Sequence, residues 1–247
     1  MPVWNPNTLQ QHPILGSSFG FSAKRIEDLG ASEYTLVAVA ADVSGSVSPF
    51  AAEIEQCVKH VVRSCRHSPR ADNLMLRLVT FDSTLTEVHG FKPLSECDLA
   101  GYDGCIRSGG TTALYDAAFS AVEAATRYGE ALSAQDFGVN VIVFVITDGG
   151  DNASSMTSAS VADALHRAIS GEAIESALSI LVGVNVQDAA TAAALRRFQA
   201  EAGFSRYIEL GDARPETLAR LAEFVSRSIS AQSLSLGSGG ASRVLSF

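Results

Sequence analysis

Apolar positions follow two different patterns along this chain. In some stretches, such as residues 34–41 and 139–147, apolar and β-branched residues follow one another with almost no polar alternation. Strands of a parallel sheet that is covered on both faces have this pattern. In other stretches, such as residues 49–66, apolar residues recur every three or four positions, which predicts an amphipathic helix. The two patterns alternate over most of the chain.

This alternation predicts a definite set of elements. We predict strands over residues 34–41, 73–82, 86–91, 139–147, 177–184 and 206–210, and helices over residues 49–66, 113–128, 158–169, 188–202 and 215–230. Strands that alternate with helices form a parallel sheet with right-handed crossovers and helices on both faces. The predicted fold class is therefore α/β, with a mostly parallel central sheet of about six strands, in which residues 86–91 form one antiparallel edge strand.

The two ends of the chain differ in composition from this α/β region. The 247 residues, 47% of them hydrophobic, suit a single domain, which we place at residues 34–230. Residues 1–33 mix polar, glycine and apolar positions and are predicted to form an N-terminal arm. Residues 231–247 are rich in Ser and Gly and are predicted to form a flexible tail. The alternative for the tail is that its apolar end docks onto a sheet edge or a neighbouring subunit.

Polar side chains that suit a metal ion follow the first predicted strand. Asp42, Ser44 and Ser46 leave this strand at its carboxyl end, which is the edge where α/β sheets bind ligands. Carboxylate and hydroxyl oxygens favour Mg²⁺, Mn²⁺ or Ca²⁺ over zinc or copper. Ser, Gly and Asp also form ordinary turns and helix caps, so this motif alone leaves both interpretations open.

Two further segments decide between these interpretations. Residues 108–117 form a glycine turn with Thr111 and Thr112 before a predicted helix, and Asp148 follows the apolar strand 139–147. The three segments together resemble the von Willebrand factor type A (VWA) domain and its metal-ion-dependent adhesion site (MIDAS). The resemblance covers about residues 34–230 and is strongest to the bacterial, intracellular form. It implies the metal ligands Asp42, Ser44, Ser46, Thr112 and Asp148, with Thr111 as the alternative to Thr112.

The resemblance also implies a fold, a cofactor and a kind of partner. The fold would be the Rossmann-like VWA fold, and the cofactor Mg²⁺, with Mn²⁺ or Ca²⁺ as alternatives. In the family, the two aspartates usually act through bound waters, and an acidic side chain of a partner protein completes the coordination. The predicted function is therefore metal-dependent protein–protein interaction. Intracellular bacterial members often act beside AAA+ ATPases, and in the family the last helix can move when coordination changes.

Composition narrows the range of partners. A net charge of −9 without a basic run argues against nucleic acid. No segment reaches the roughly 18 apolar residues that cross a bilayer, so we predict no membrane partner. The first fifteen residues lack the pattern of a secretion signal, and we expect a cytoplasmic protein. Cys57, Cys65, Cys97 and Cys105 lack zinc-site spacing and are expected to be buried thiols, with a Cys97–Cys105 disulfide as the alternative.

Catalysis is not expected from the motifs. The chain has neither a phosphate-binding P-loop motif nor a Gly-x-Ser-x-Gly elbow. A Mg²⁺-dependent phosphatase with Asp42 as nucleophile is the enzymatic alternative, but Ser44 stands where a general acid is needed, and a hydroxyl cannot fill that role near neutral pH. A third hypothesis is a structural subunit that assembles with itself or within a larger particle and uses the metal for stability.

Overall fold

The computed structural model describes residues 9–236 and 245–247, and eight strands in that part of the chain form one sheet. The strands are β1 (Leu9–Pro13), β2 (Gly20–Lys24), β3 (Glu33–Asp42), β4 (Leu74–Phe81), β5 (Leu85–Pro93), β6 (Gly138–Thr147), β7 (Ser176–Gly183) and β8 (Arg206–Glu209). The helices are α1 (Ala51–Cys65), α2 (Leu114–Ser133), α3 (Ser158–Ser170), α4 (Ala189–Ala202) and α5 (Pro215–Ser235). Every predicted element is present. The largest differences are at the ends of α2 and α5, which each extend five residues beyond the predicted end.

The strand order across the sheet is β1-β2-β5-β4-β3-β6-β7-β8. The last five strands in this order are parallel to one another, namely β4, β3, β6, β7 and β8. Strand β5 is antiparallel to β4. The predicted α/β fold class is therefore confirmed. The sheet has eight strands instead of about six, because β1 and β2 continue it beyond β5. These two strands are only five residues long each, and their mixed polar pattern did not predict them.

Helices cover the sheet on both faces, and the central strands show the consequence. In β3, alternate residues belong to opposite cores: Leu36, Ala38 and Ala40 lie in the core beneath α2, α3 and α4. Val37, Val39 and Ala41 lie in the core beneath α1 and α5. Because both faces of the strand are buried, both sets of positions must be apolar, which explains the continuous apolar run in the sequence.

The strand order fixes where a ligand can bind. From β3 the chain passes to β4 on one side and, after β5 and α2, to β6 on the other side. The crossovers therefore leave a crevice above the carboxyl ends of β3 and β6, which is the switch point where α/β sheets hold their ligands. Asp42 ends β3, and Asp148 follows the last residue of β6.

The hairpin of β1 and β2 is attached to the sheet through a buried ion pair. Arg77 of β4 is 2% exposed, and its Nε donates to Glu87 of β5 at 2.8 Å. Glu87 also accepts hydrogen bonds from the backbone N–H of Ser22 at 3.0 Å and from the Ser22 hydroxyl. One carboxylate thus joins β2, β4 and β5.

The last described residues also contact the domain. Leu245 packs against the core beneath α1 and α5, and the Phe247 ring lies against Phe224 of α5. Residues 237–244, which make up much of the predicted tail, lie outside the described residues, as do residues 1–8 of the predicted arm. All four cysteines are free thiols, three of them buried. In the described part of the chain, no helix is long and apolar enough to span a membrane.

The ion pair of Arg77 and Glu87 leads to a stability prediction. Glu87→Ala should lower the free energy of unfolding by about 3–5 kcal/mol, because it leaves a buried guanidinium without a counter-charge. Urea unfolding monitored by circular dichroism measures the change. Thr86→Ala is the matched control, since the Thr86 side chain is exposed and lies next in the same strand. A loss for Glu87→Ala no larger than that of the control would contradict this role.

Candidate metal centre

The predicted ligands that follow β3 and β6 lie together in the crevice. Asp42 is the last residue of β3, and Ser44 and Ser46 follow where the chain turns into the 3₁₀ segment Gly45–Phe50. Asp148 follows β6, which pairs with β3 in parallel register up to Ala41 and Ile146. The two aspartates therefore leave adjacent strands at the same edge of the sheet.

Three of the predicted ligand oxygens form a short chain. The hydroxyls of Ser44 and Ser46 are 3.1 Å apart, and the Ser46 hydroxyl donates to Oδ1 of Asp148 at 2.8 Å. Adjacent ligands of an octahedral Mg²⁺ ion, each about 2.1 Å from the metal, lie about 2.9 Å from one another. The spacing of these oxygens therefore fits neighbouring positions around one small divalent cation.

Asp42 lies deeper than the other ligands. It is 1% exposed, and both carboxylate oxygens accept hydrogen bonds: Oδ1 from the backbone N–H of Ser44 at 2.7 Å, and Oδ2 from the Thr147 hydroxyl at 2.6 Å. Burial raises the pKa of Asp42 to about 6, although both hydrogen bonds oppose that shift, and the nearby Asp148 carboxylate adds to it. Burial likewise raises the pKa of Asp148, against the hydrogen bond from Ser46. The site therefore concentrates negative charge where water solvates it poorly.

The turn that carries Thr112 is bonded to the Ser44–Ser46 loop. Gly45 N–H donates to the carbonyl of Gly110 at 3.2 Å, and Gly109 N–H donates to the carbonyl of Val43 at 2.8 Å. Gly110 has φ +70°, a conformation that favours glycine. Thr112 is 5% exposed, whereas Thr111 is exposed. In the described part of the chain, the Thr112 hydroxyl forms no hydrogen bond with the other four candidates.

A second layer of polar residues holds these loops in place. Asn152 and Thr112 form a reciprocal pair: Thr112 N–H donates to Oδ1 of Asn152 at 2.7 Å, and Asn152 N–H donates to the Thr112 carbonyl at 3.0 Å. The Asp116 carboxylate accepts from the backbone N–H of Met156 at 2.7 Å, which ties the loop after β6 to the start of α2. Asp151 accepts from the backbone N–H of Tyr115 at 3.2 Å on the same helix turn. These side chains position loops.

Thr147 is a site residue that the sequence analysis missed. Its hydroxyl donates to Asp42 and is also 3.2 Å from the backbone N–H of Gly149. A threonine at the end of an apolar β-branched run is indistinguishable by pattern from a strand residue. The signal that could have found it is its place directly before Asp148, next to a buried carboxylate on the neighbouring strand.

The donor set consists of hydroxyls and two carboxylates. Within the described residues, no group of three or more His, Cys, Asp or Glu side chains could hold a metal ion. A cation in this crevice would therefore depend on the neutral hydroxyls of Ser44, Ser46 and Thr112 as well as on Asp42 and Asp148. Such a set fits a hard cation such as Mg²⁺ better than a soft one.

Comparisons with known proteins show the fold but no close relative. No protein-family model matches the chain, and no curated protein matches it. A D319A mutant of the PilB minor pilin from Streptococcus sanguinis is 12% identical, with a TM-score of 0.59 over 84% of this chain and 64% of its own. The pilus adhesin SpaC from Lactobacillus rhamnosus GG, in an open conformation, is 12% identical, with a TM-score of 0.56 over 86% of this chain and 31% of its own.

A third solved structure has a metal-occupied MIDAS motif. It is proximal thread matrix protein 1 from the mussel byssus with a zinc-occupied MIDAS motif, 17% identical, with a TM-score of 0.50 over 81% of this chain and 46% of its own. The chain thus spans between about a third and two thirds of the length of these proteins. At such low identity the likeness concerns the fold, and the chain has a VWA-like fold.

The hydrogen bond from Thr147 to Asp42 can be tested with a matched pair of substitutions. Thr147→Val removes the donor from a buried carboxylate and should destabilise the protein by about 1.5–3 kcal/mol, as for other hydrogen bonds to charged groups. Thr35→Val is the control, because Thr35 is equally buried in β3 and its hydroxyl has no hydrogen-bond partner among the described residues. Its stability should be unchanged or higher. Equal unfolding free energies for the two variants in urea would disprove the assigned role.

Proposed function

We propose that this protein binds a divalent cation in the crevice between β3 and β6 and, through it, an acidic residue of a partner protein. One observation carries the proposal. The Ser46 Oγ lies 3.1 Å from the Ser44 Oγ and 2.8 Å from the Asp148 Oδ1, and both distances match the spacing of adjacent ligands around a small cation. Asp42 and Thr112 would complete the protein's share of the ligands. The MIDAS motif expected from the sequence would then be intact.

Mg²⁺ is the first candidate for the cation. An oxygen-only donor set favours it, with Mn²⁺ and Ca²⁺ as alternatives. The zinc-occupied MIDAS motif of the mussel protein supports a divalent cation in this fold, so Zn²⁺ belongs in the same titration. Thr112 is the proposed hydroxyl ligand of its turn because it is buried beside the crevice, while Thr111 is exposed.

The charge balance of the site favours an acidic partner. The three hydroxyl ligands are neutral, and the hydrogen bonds on both oxygens of Asp42 leave Asp148 as the main charged ligand. Its single charge would offset the charge of a divalent cation only in part. Ser46 is exposed, so the site opens to the surface. A bound cation would supply an open coordination position to a carboxylate of the partner, whose charge interacts most strongly where the contact excludes water.

The same geometry counts against the phosphatase alternative. An aspartyl nucleophile must reach its substrate with a free oxygen, whereas Asp42 is 1% exposed and has donors on both oxygens. Ser44, two residues on, cannot act as a general acid near neutral pH. We therefore propose that the protein is not an enzyme. Turnover of an aryl phosphate with Mg²⁺, lost in Asp42→Asn, would overturn this.

Two kinds of partner are candidates. An AAA+ ATPase is the candidate suggested by the family resemblance, and the net charge of −9 argues against nucleic acid. A structural subunit that assembles with itself is the second candidate, and PilB, SpaC and the mussel matrix protein are the fold neighbours that favour it. Light scattering with and without chelator distinguishes self-assembly from binding to another protein. The cytoplasmic location remains a prediction, which cell fractionation can check.

Metal binding should be measurable by calorimetry. Titration of Mg²⁺ and Mn²⁺ into chelator-treated protein should give one site per chain. Ser46→Ala or Asp148→Asn should weaken binding at least tenfold, because the first removes a ligand oxygen and the second removes the charge of a ligand carboxylate. Ser48→Ala is the control: Ser48 is an exposed serine of the same 3₁₀ segment. It should bind as wild type does.

The same titration decides between the two threonines. Thr112→Val should weaken binding, and Thr111→Val should leave it unchanged. Absence of heat with every cation, in protein whose circular dichroism is native, would end the metal proposal.

Partner binding has a separate test. The immobilised protein should retain a specific protein from its native cells in Mg²⁺ and release it in chelator, and Ser46→Ala should retain none. Ser48→Ala should retain the same protein as wild type. Esterification of carboxylates in the captured protein should abolish rebinding, since the contact depends on an acidic residue. Retention that persists in chelator would show that the cation is not part of the contact.

A further inference from the structure

Three residues on the side of the sheet that ends with β8 form a surface separate from the metal centre. Arg206 begins β8, and Arg220 and Phe224 lie one turn apart on α5, so that they share a face of the helix. We call Arg206, Arg220 and Phe224 the tail cradle, because the segment Leu245–Phe247 lies against it. We infer that the tail cradle is a peptide-recognition surface for a Leu-x-Phe segment, which Leu245–Phe247 of the same chain occupies.

The contacts of the segment with the tail cradle are of three kinds. The Arg206 guanidinium donates to the backbone carbonyl of Leu245. The Phe247 ring meets the Phe224 ring edge-on, with 5.7 Å between the ring centroids and 73° between the planes. The Arg220 guanidinium lies over the Phe247 ring, 5.2 Å from the ring centroid. The Phe247 ring therefore contacts both an apolar ring and a cation.

These contacts recognise both the backbone and the side chains of the segment. The hydrogen bond to a main-chain carbonyl holds the backbone at Leu245 whatever the side chain there. The edge-on ring pair and the cation–π contact require an aromatic side chain at the third position. Leu245 packs against the core beneath α1 and α5, which requires an apolar residue at the first position. Ser246 is exposed and contributes no side-chain requirement.

The charges around the tail cradle favour this role. Among the described residues, neither Arg206 nor Arg220 takes part in an ion pair with a carboxylate, although the chain has 27 acidic residues. Arg206 instead also lies over the Phe224 ring, 5.8 Å from its centroid. Both guanidinium groups thus face aromatic rings. The Phe224 ring is 4% exposed with the Phe247 ring against it, so detachment of the segment would expose apolar surface of Phe224 to water.

The segment is held by contacts that can exchange. Phe247 remains 39% exposed, and each contact is of a kind that contributes little alone at the surface. An external peptide of the same sequence should therefore compete for the tail cradle. This competition does not involve the crevice between β3 and β6.

Peptide binding to the full-length chain tests the inference. The variant Leu245→Ser/Phe247→Ser leaves the tail cradle free, and it should bind a fluorescent peptide of residues 243–247 (Arg-Val-Leu-Ser-Phe) at least tenfold more tightly than wild type does. Fluorescence anisotropy measures the affinity. Adding Arg220→Ala to this variant should lower binding at least fivefold, because the ring loses its cation.

The controls separate recognition from unspecific adhesion. Arg227→Ala, an exposed arginine farther along α5, should leave binding unchanged, and a peptide with Ser in place of Phe should not bind. Chelator should have no effect, so that failure here is distinct from failure of the proposed metal function. Equal binding to wild type and to the free variant, or no binding to a free variant with native circular dichroism, would overturn the inference.

Discussion

The burial of the Asp42 carboxylate at the end of β3 is the constraint on which the candidate site depends. A carboxylate that is 1% exposed must have its charge compensated by donors or by a cation. Among the described residues, the donors to Asp42 are neutral groups, chiefly the N–H of Ser44 and the hydroxyl of Thr147. This arrangement is tolerable because β3 and β6 are adjacent and parallel, so that Thr147 is placed beside Asp42 by the sheet itself.

The loops of the site depend on backbone bonds between segments far apart in the chain. The Ser44–Ser46 loop is joined to the glycine turn through Gly110 and Val43, and that turn is joined to the loop after β6 through Asn152. Each polar group bonded in this way is one fewer unsatisfied group near the crevice. The Ser46 hydroxyl then contacts Asp148, and the Ser44 hydroxyl contacts that of Ser46.

The sequence predicted the parallel core well and the outer strands poorly, for one physical reason. β3 and β6 are buried on both faces, so nearly every position must be apolar and the pattern is unambiguous. β1 and β2 are short, and β2 depends on Ser22 and Glu87 for its attachment. That contact joins residues 65 positions apart and leaves no local pattern. Thr147 was missed for a related reason, since its role comes from the neighbouring strand.

Arginines help to hold the two ends of the described chain on opposite sides of the sheet, but these arginines differ in burial and in the groups that they contact. Arg77 is buried and paired with Glu87, so detaching β2 would expose an ion pair that the interior has already desolvated. Arg206 and Arg220 contact a backbone carbonyl and an aromatic ring that is still partly exposed. Detaching Leu245–Phe247 leaves no unpaired charge in the interior. The hairpin therefore belongs to the permanent fold, whereas the segment Leu245–Phe247 behaves as a ligand that the protein carries with it.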